Sequence, residues 1–246
     1  MLKINKLVAC GFIVMGIVAA PIDANASLIE AITDSLSGSK EGSGVKLNNE
    51  TRRAGSHSFE HTVTNGKRAE LAFKKTEIGK TYWKGWAVYI PKDFDTKDRY
   101  TIIGQWAAYP SKRDGKFPCG AVGHRMDIRG NGDIKVRLQP KELDQECVEF
   151  KLGNAKDYRG KWIDFAEHAK WDEKGFFRLW MRVTGEKEFK QVVDFSGHTW
   201  WKDEGDGPYW KMGVYLGGEK NGTQRLITDE YRLGDDKSNL TEVVPY

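Results

Sequence analysis

Tyr209-Trp210-Lys211-Met212-Gly213-Val214-Tyr215 is the segment whose residue types and spacing bear most directly on chemistry. At strand spacing Tyr209, Lys211, Gly213 and Tyr215 share one face, and Trp210, Met212 and Val214 share the other. A phenol at Tyr215 can move a proton and an ammonium at Lys211 can bind an anion, while Gly213 between them leaves room for a ring. Such a face suits sugar chemistry. The same alternation also suits an amphipathic strand whose polar side only meets water.

Two earlier stretches repeat the pattern. In Arg68-Ala69-Glu70-Leu71, Arg68 and Glu70 oppose Ala69, Leu71 and Phe73; in Gly104-Gln105-Trp106-Ala107, Gln105 and Ala107 oppose Gly104 and Trp106. Strands must position all three sets. Short alternating runs are separated by turn chemistry at Asn65-Gly66, Asn131-Gly132, Lys174-Gly175, Gly205-Asp206-Gly207-Pro208 and Asn221-Gly222, which argues an all-β sandwich. Strands are expected over Trp86 to Ile90, Tyr100 to Trp106, His124 to Arg129, Ile134 to Gln139, Phe176 to Val183 and Gln191 to Phe195, with Trp162 to Ala169 also alternating. Asn131-Gly132 reads as a type I′ hairpin turn. Helix is expected only in the tail, around residues 140–146, and as a short piece over 28–36.

Lys3 and Lys6, the apolar run from Leu7 to Ala20 and the Ala24-Asn25-Ala26 site read as an export signal cleaved near Ala26. Residues 1–26 are therefore expected to be a signal peptide, 27–44 a flexible segment, and 45–246 one folded domain in a secreted or periplasmic protein. Leu7-Val8-Ala9-Cys10 resembles a lipoprotein box, but the apolar run follows Cys10 instead of preceding it, which argues against lipidation. Cleavage lowers the formal charge from +4 to +3, a balance too small to imply nucleic acid. Cys119 and Cys147 are then the remaining cysteines, and in an exported chain a disulfide between them is the natural inference. No second apolar stretch reaches the ~20 residues of a membrane span.

Taken in order, the motifs resemble those of the β-jelly-roll polysaccharide lyases, the superfamily of heparin lyase I and glucuronan lyase and, more distantly, the smaller alginate lyases. Arg68-Ala69-Glu70-Leu71 resembles the Arg-Ser-Glu-Leu strand, Gln105-Trp106 the Gln-x-His strand, and Lys211-Met212-Gly213-Val214-Tyr215 the Lys-x-Gly-x-Tyr strand. Similar connecting text includes Trp86 to Phe94, Gly160-Lys161-Trp162 and Asp229 to Gly234, so the likeness runs over residues 50–235. It implies a two-sheet antiparallel jelly roll with a concave groove for an anionic polysaccharide, cut by β-elimination to leave an unsaturated uronate end. That reaction needs a group to neutralise the uronate carboxylate, a base at C5 and an acid at O4.

By this resemblance Gln105 binds the carboxylate with Arg68, Tyr215 is base, acid or both, and Lys211 and Arg68 supply the cations a phenol of ordinary pKa near 10 needs in order to act as a base. Glu70 orients Arg68 or a neighbouring cation. The chain departs from the pattern at Ala107, where the family usually has histidine. Either Tyr215 performs both proton transfers, or another histidine substitutes, or the protein is a lectin-like binding module on the same fold. His61 is the first substitute, expected opposite Glu70 in a tight hairpin; His124 is the second, although it shares parity with core residues Met126 and Ile128. Arg125 and Arg137 fall on polar faces, where they either contact neighbouring sugars or meet solvent, and Tyr209 either stacks on a sugar or caps its strand. No cofactor is required and no zinc signature is present, while Asp203-Glu204, Asp206 and Asp235-Asp236 offer ligands for a structural calcium. A glycoside hydrolase would need paired carboxylates on one strand, an arrangement the chain does not show. A monomer is expected.

Overall fold

The computed structural model describes residues 44–96, 99–107, 124–139, 145–202, 205–218 and 222–245. The stretch 1–26 expected to be a signal peptide, the segment 28–36, Cys119, residues 140–144 and Asp203-Glu204 lie outside the described residues. One sheet has seven strands in the order β1 (Val45–Asn48), β2 (Ser58–Thr64), β13 (Thr223–Gly234), β4 (Thr81–Ile90), β9 (Lys161–Lys170), β10 (Gly175–Val183) and β11 (Lys190–Gly197). The other has six, in the order β3 (Arg68–Lys75), β12 (Tyr209–Gly218), β5 (Arg99–Ala107), β6 (His124–Ile128), β7 (Asp133–Leu138) and β8 (Val148–Asn154). Pairing within both sheets is antiparallel, giving the expected jelly-roll sandwich. A four-residue helix, α1 (Leu240–Val243), closes the tail under a capping box from Asn239 and Glu242.

The period-2 pattern explains the strands. Along β7 exposure alternates so that Ile134, Val136 and Leu138 enter the core, and along β10 Phe177, Leu179 and Met181 do the same. Trp86, Trp171, Trp210, Phe165 and Phe177 fill the space between the sheets. Burying a large apolar side chain of this kind contributes about 1.5–3 kcal/mol, so the aromatic layer is a main source of sandwich stability.

Two turns differ from expectation. The loop from β6 to β7 is not type I′, because Gly132 has φ +94° while Asn131 stays at negative φ. Gly132 N–H donates to the Arg129 carbonyl at 2.8 Å and Asn131 Oδ1 accepts from Asp133 N–H at 3.0 Å. This is a turn followed by one left-handed glycine, which needs positive φ at a single residue. The Asn65-Gly66 turn joins β2 to β3, and these strands belong to different sheets. It is an arch between layers and not a hairpin.

Candidate functional site

The register of the six-stranded sheet lines up one residue from each strand. Ala72 pairs with Lys211, Lys211 with Gln105, Gln105 with Arg125, Arg125 with Arg137, and Arg137 with Glu149. Directly opposite residues share a face, so these side chains form one row on the outside of the sandwich. The neighbouring row, Trp210, Trp106 and His124, points into the core. At the strand separation of ~4.8 Å, the polar row from Lys211 to Glu149 crosses roughly 19 Å of sheet.

The densest chemistry lies on β3, β12 and β5. Gln105 Nε2 donates to Glu70 Oε1, and Arg68 Nη1 is 3.7 Å from Glu70 Oε2. Tyr215 pairs with Arg68 and Gly213 with Glu70. The Arg68 guanidinium carbon lies 4.4 Å from the centre of the Tyr215 ring and Lys67 Nζ lies 5.3 Å from it. Lys211 Nζ is 5.2 Å from the centre of the Tyr209 ring, and Tyr209 pairs with Ala107. Glu70 and Gln105 are only 3% and 4% exposed. Burial raises the Glu70 carboxyl above its ordinary range, against the pull of the Lys211 and Arg68 charges. Arg68, Glu70, Gln105 and Lys211 thus share the outer face, with Tyr209 beside Lys211; the cations beside the Tyr215 ring are Arg68 and Lys67, and Lys211 lies over Tyr209 instead of Tyr215.

Arg125 and Arg137 stand on the same face as Gln105 and Lys211. Arg125 Nε donates to Asp127 at 2.6 Å, and Arg129 reaches both Asp127 and Glu149. Lys135 and Arg137 also bond Glu149. Burial pushes the Glu149 carboxyl up, but hydrogen bonds and charge from Lys135 and Arg137 outweigh it and hold the group at about 2. Lys67, Arg68, Lys211, Arg125, Arg129, Lys135, Arg137 and Lys151 stand on or beside this face with Glu70, Asp127, Asp133 and Glu149, so cations outnumber carboxylates among them. That excess favours a polyanion.

Asp127, Arg129, Lys135 and Glu149 were not singled out from sequence, yet Asp127 and Lys135 follow from the parity of Arg125 and Arg137. Lys67 sits at a turn and carried no such signal. Tyr100 was also missed: its ring lies 5.4 Å from the Arg125 guanidinium and fills the space beside its partner Gly217, where a Cβ would collide with the ring.

Two expectations are corrected. His61 does not face Glu70 on a hairpin, because β2 and β3 part into different sheets. It is fully buried, with Nδ1 donating to the Ala69 carbonyl at 3.1 Å and Nε2 accepting from Thr228 Oγ1 at 2.8 Å. His124 is 1% exposed between Trp171 and Trp200, so it is a core residue and does not line the outer face. Gly213 is also required by the backbone: with φ +139°, a Cβ there would be 2.5 Å from His61 Nδ1 and in collision with the Ala69 carbonyl, so the place of an L side chain is taken by His61 and the β3 backbone.

Burial lowers His61 to about 4, and burial followed by the His198 charge lowers His124 to about 3. Both stay neutral in the fold, whereas an unfolded imidazole titrates near 6.5. Between pH ~6.5 and ~4 the unfolded chain binds more protons, so these groups lose stability as pH falls. Asp229, raised by burial to about 6, acts with the opposite sign, losing stability as pH rises through that value. Urea unfolding at pH 7 and pH 5 should show the His61→Gln variant with a smaller loss on acidification than the parent, by about 1–2 kcal/mol. Equal losses would contradict the assignment.

Among the described residues no three His, Cys, Asp or Glu side chains converge as a metal site, and no helix is long and apolar enough to cross a membrane.

A family model described as polysaccharide lyase matches residues 30–232. No curated protein sequence matches the chain. Among solved structures, the endo-β-1,4-glucuronan lyase of the fungus Trichoderma reesei superposes with a TM-score of 0.64 at 17% identity, covering 85% of this chain and 91% of that one. An alginate lyase from Aplysia kurodai superposes with a TM-score of 0.52 at 11% identity, covering 78% and 87%. At these identities the likeness is one of fold.

Proposed function

The chain belongs to the polysaccharide lyase family, and as a carbon–oxygen lyase acting on polysaccharides we propose that it cleaves a uronate-containing chain by β-elimination on the outer face of the six-stranded sheet. The observation that carries this reading is the cluster of Gln105, Glu70 and Arg68 beside Tyr215, set in a face with an excess of cations. Gln105 uses one amide hydrogen on Glu70, which leaves its second for a substrate carboxylate. Arg68 adds charge to the same carboxylate, and neutralising it makes the C5 proton acidic.

The remaining steps fall to Tyr215. Its phenolate oxygen takes the C5 proton, the C4–O4 bond breaks as the C4–C5 double bond forms, and the phenol returns the proton to O4. Arg68 and Lys67 beside the ring offset the negative charge that moves through the oxygen. None of the five histidines stands beside Gln105: His61 and His124 are buried, and His57, His168 and His198 belong to the seven-stranded sheet or its flanks. One residue can serve as both base and acid only if the proton and O4 leave from one side of the ring. This favours a D-gluco or D-manno uronate over its C5 epimer. We also propose export after cleavage near Ala26 and a Cys119–Cys147 bridge, which thiol titration of the mature protein would test.

The direct assay incubates the mature protein with glucuronan, alginate, heparin and hyaluronan while following the ultraviolet absorbance of the unsaturated uronate. A rise with the D-configured polymers supports the reading. Saturable binding with no rise on any of them would favour the binding-only module that Ala107 suggests. The cationic row gives a separate expectation: Arg137→Gln should raise KM for the polymer by about two- to fivefold with kcat unchanged, and added salt should shrink the difference. A change confined to kcat would remove Arg137 from substrate binding.

A further inference from the structure

Directly beneath the outer-face cluster the core holds an ion pair that the proposed chemistry does not use. Lys84 of β4 and Glu167 of β9 are cross-strand partners in the seven-stranded sheet, 2% and 1% exposed, with Lys84 Nζ 3.0 Å from Glu167 Oε1 and 3.2 Å from Oε2. The indole Nε1 of Trp106, from the opposite sheet, donates to Glu167 Oε2 at 2.8 Å. Lys84 Nζ also lies 4.9 Å from the Trp210 ring centre and 5.8 Å from that of Trp106. The two indoles are themselves cross-strand partners, 4.7 Å apart.

Both indoles adjoin the site in the chain. Trp106 follows Gln105 and Trp210 precedes Lys211, and Gln105 pairs with Lys211. Gly104, before Gln105, lacks a Cβ because the Trp210 ring occupies that position. Each strand therefore presents its site residue outward from a backbone whose next side chain is held inside by a directed contact to one buried pair. Taking two charges out of water is costly, and well-packed hydrophobic residues commonly hold a core as well or better. What such residues lack is direction: an N–H to carboxylate bond fixes the rotation of an indole, which shape alone fixes less tightly.

We propose that Glu167, paired with Lys84, is a positioning residue for the lyase site. Acting through the indoles of Trp106 and Trp210, it holds β5 against β12 so that Gln105 and Lys211 stand side by side. This rests on the reading of the outer face as the catalytic surface.

Two variants test it. Trp106→Phe keeps an aromatic ring and removes the indole N–H; Lys84→Met with Glu167→Leu replaces the pair by apolar side chains. Denaturant unfolding, steady-state kinetics on the polymer the parent cleaves, and the side-chain amide resonances of Gln105, assigned by their loss in Gln105→Glu, are measured for each. The double variant should be at least as stable as the parent, yet its kcat should fall roughly 10- to 100-fold with KM within about twofold. Trp106→Phe should lower kcat in the same direction, and both should shift the Gln105 amide signals. Parent-like kcat and unmoved amide signals would overturn the proposal, and if the double variant fails to fold, Trp106→Phe decides by the same criteria. A parent protein inactive on every polymer would sink the lyase reading instead, while the amide signals still decide whether the pair positions Gln105.

Discussion

Replacing Tyr215 with phenylalanine should lower kcat by about 10³- to 10⁴-fold while leaving KM and the unfolding midpoint near parent values. Positioned acid–base groups typically contribute 10²- to 10⁴-fold, and the upper part of that range is expected where one oxygen both removes the C5 proton and protonates O4. The ring itself is not at issue. Phenylalanine keeps the surface over which Arg68 stacks at 4.4 Å, so charge and packing persist while the transferable proton is lost. Polymer binding, followed calorimetrically, should survive the substitution. A variant retaining a tenth or more of parental kcat would show that another group carries the proton.

The second large effect is structural. Gly213→Ala should destabilise the fold by about 2–5 kcal/mol, because φ +139° strains any L side chain and the added methyl would enter the space between His61 Nδ1 and the Ala69 carbonyl. Those two atoms are joined by a hydrogen bond of 3.1 Å that ties the buried imidazole of β2 to the β3 backbone. Activity should fall together with stability, since Lys211 and Tyr215 flank the disturbed residue on β12. Combining Gly213→Ala with His61→Ala opens part of the space and should recover some of the loss in unfolding free energy. If Gly213→Ala alone unfolds at the parental denaturant midpoint, the crowding argument fails.

The strands that carry the site were legible because both faces of each speak. Ala69, Leu71 and Phe73 demand the core, so Arg68 and Glu70 must face out; Trp210, Met212 and Val214 do the same for Lys211 and Tyr215. The same parity placed His124 with Met126 in the core, and the structure agrees with parity against its candidacy for the site. Parity failed where the chain changes layer. His61 looked like the partner of Glu70 across a short turn, but Asn65 and Gly66 carry the chain from one sheet to the other, and nothing local separates an arch from a hairpin. The Asn131-Gly132 turn was misassigned for a smaller reason: the dipeptide is compatible with several tight turns, and only the hydrogen bonds of Arg129 and Asp133 select among them.

What the sequence by itself determined is the content of each strand face and, through three ordered motifs, the kind of surface those faces make. Alternation is a property of one strand and survives any arrangement of its neighbours. Which strands lie side by side is decided by long-range pairing. Only the tertiary structure joined Lys211, Gln105, Arg125, Arg137 and Glu149 into one row, set His61 where a Gly213 side chain would go, and brought Lys84 and Glu167 beneath Trp106. Each of these contacts links residues far apart in the chain. Their register is set by how two sheets pack as a whole, which no window of sequence contains.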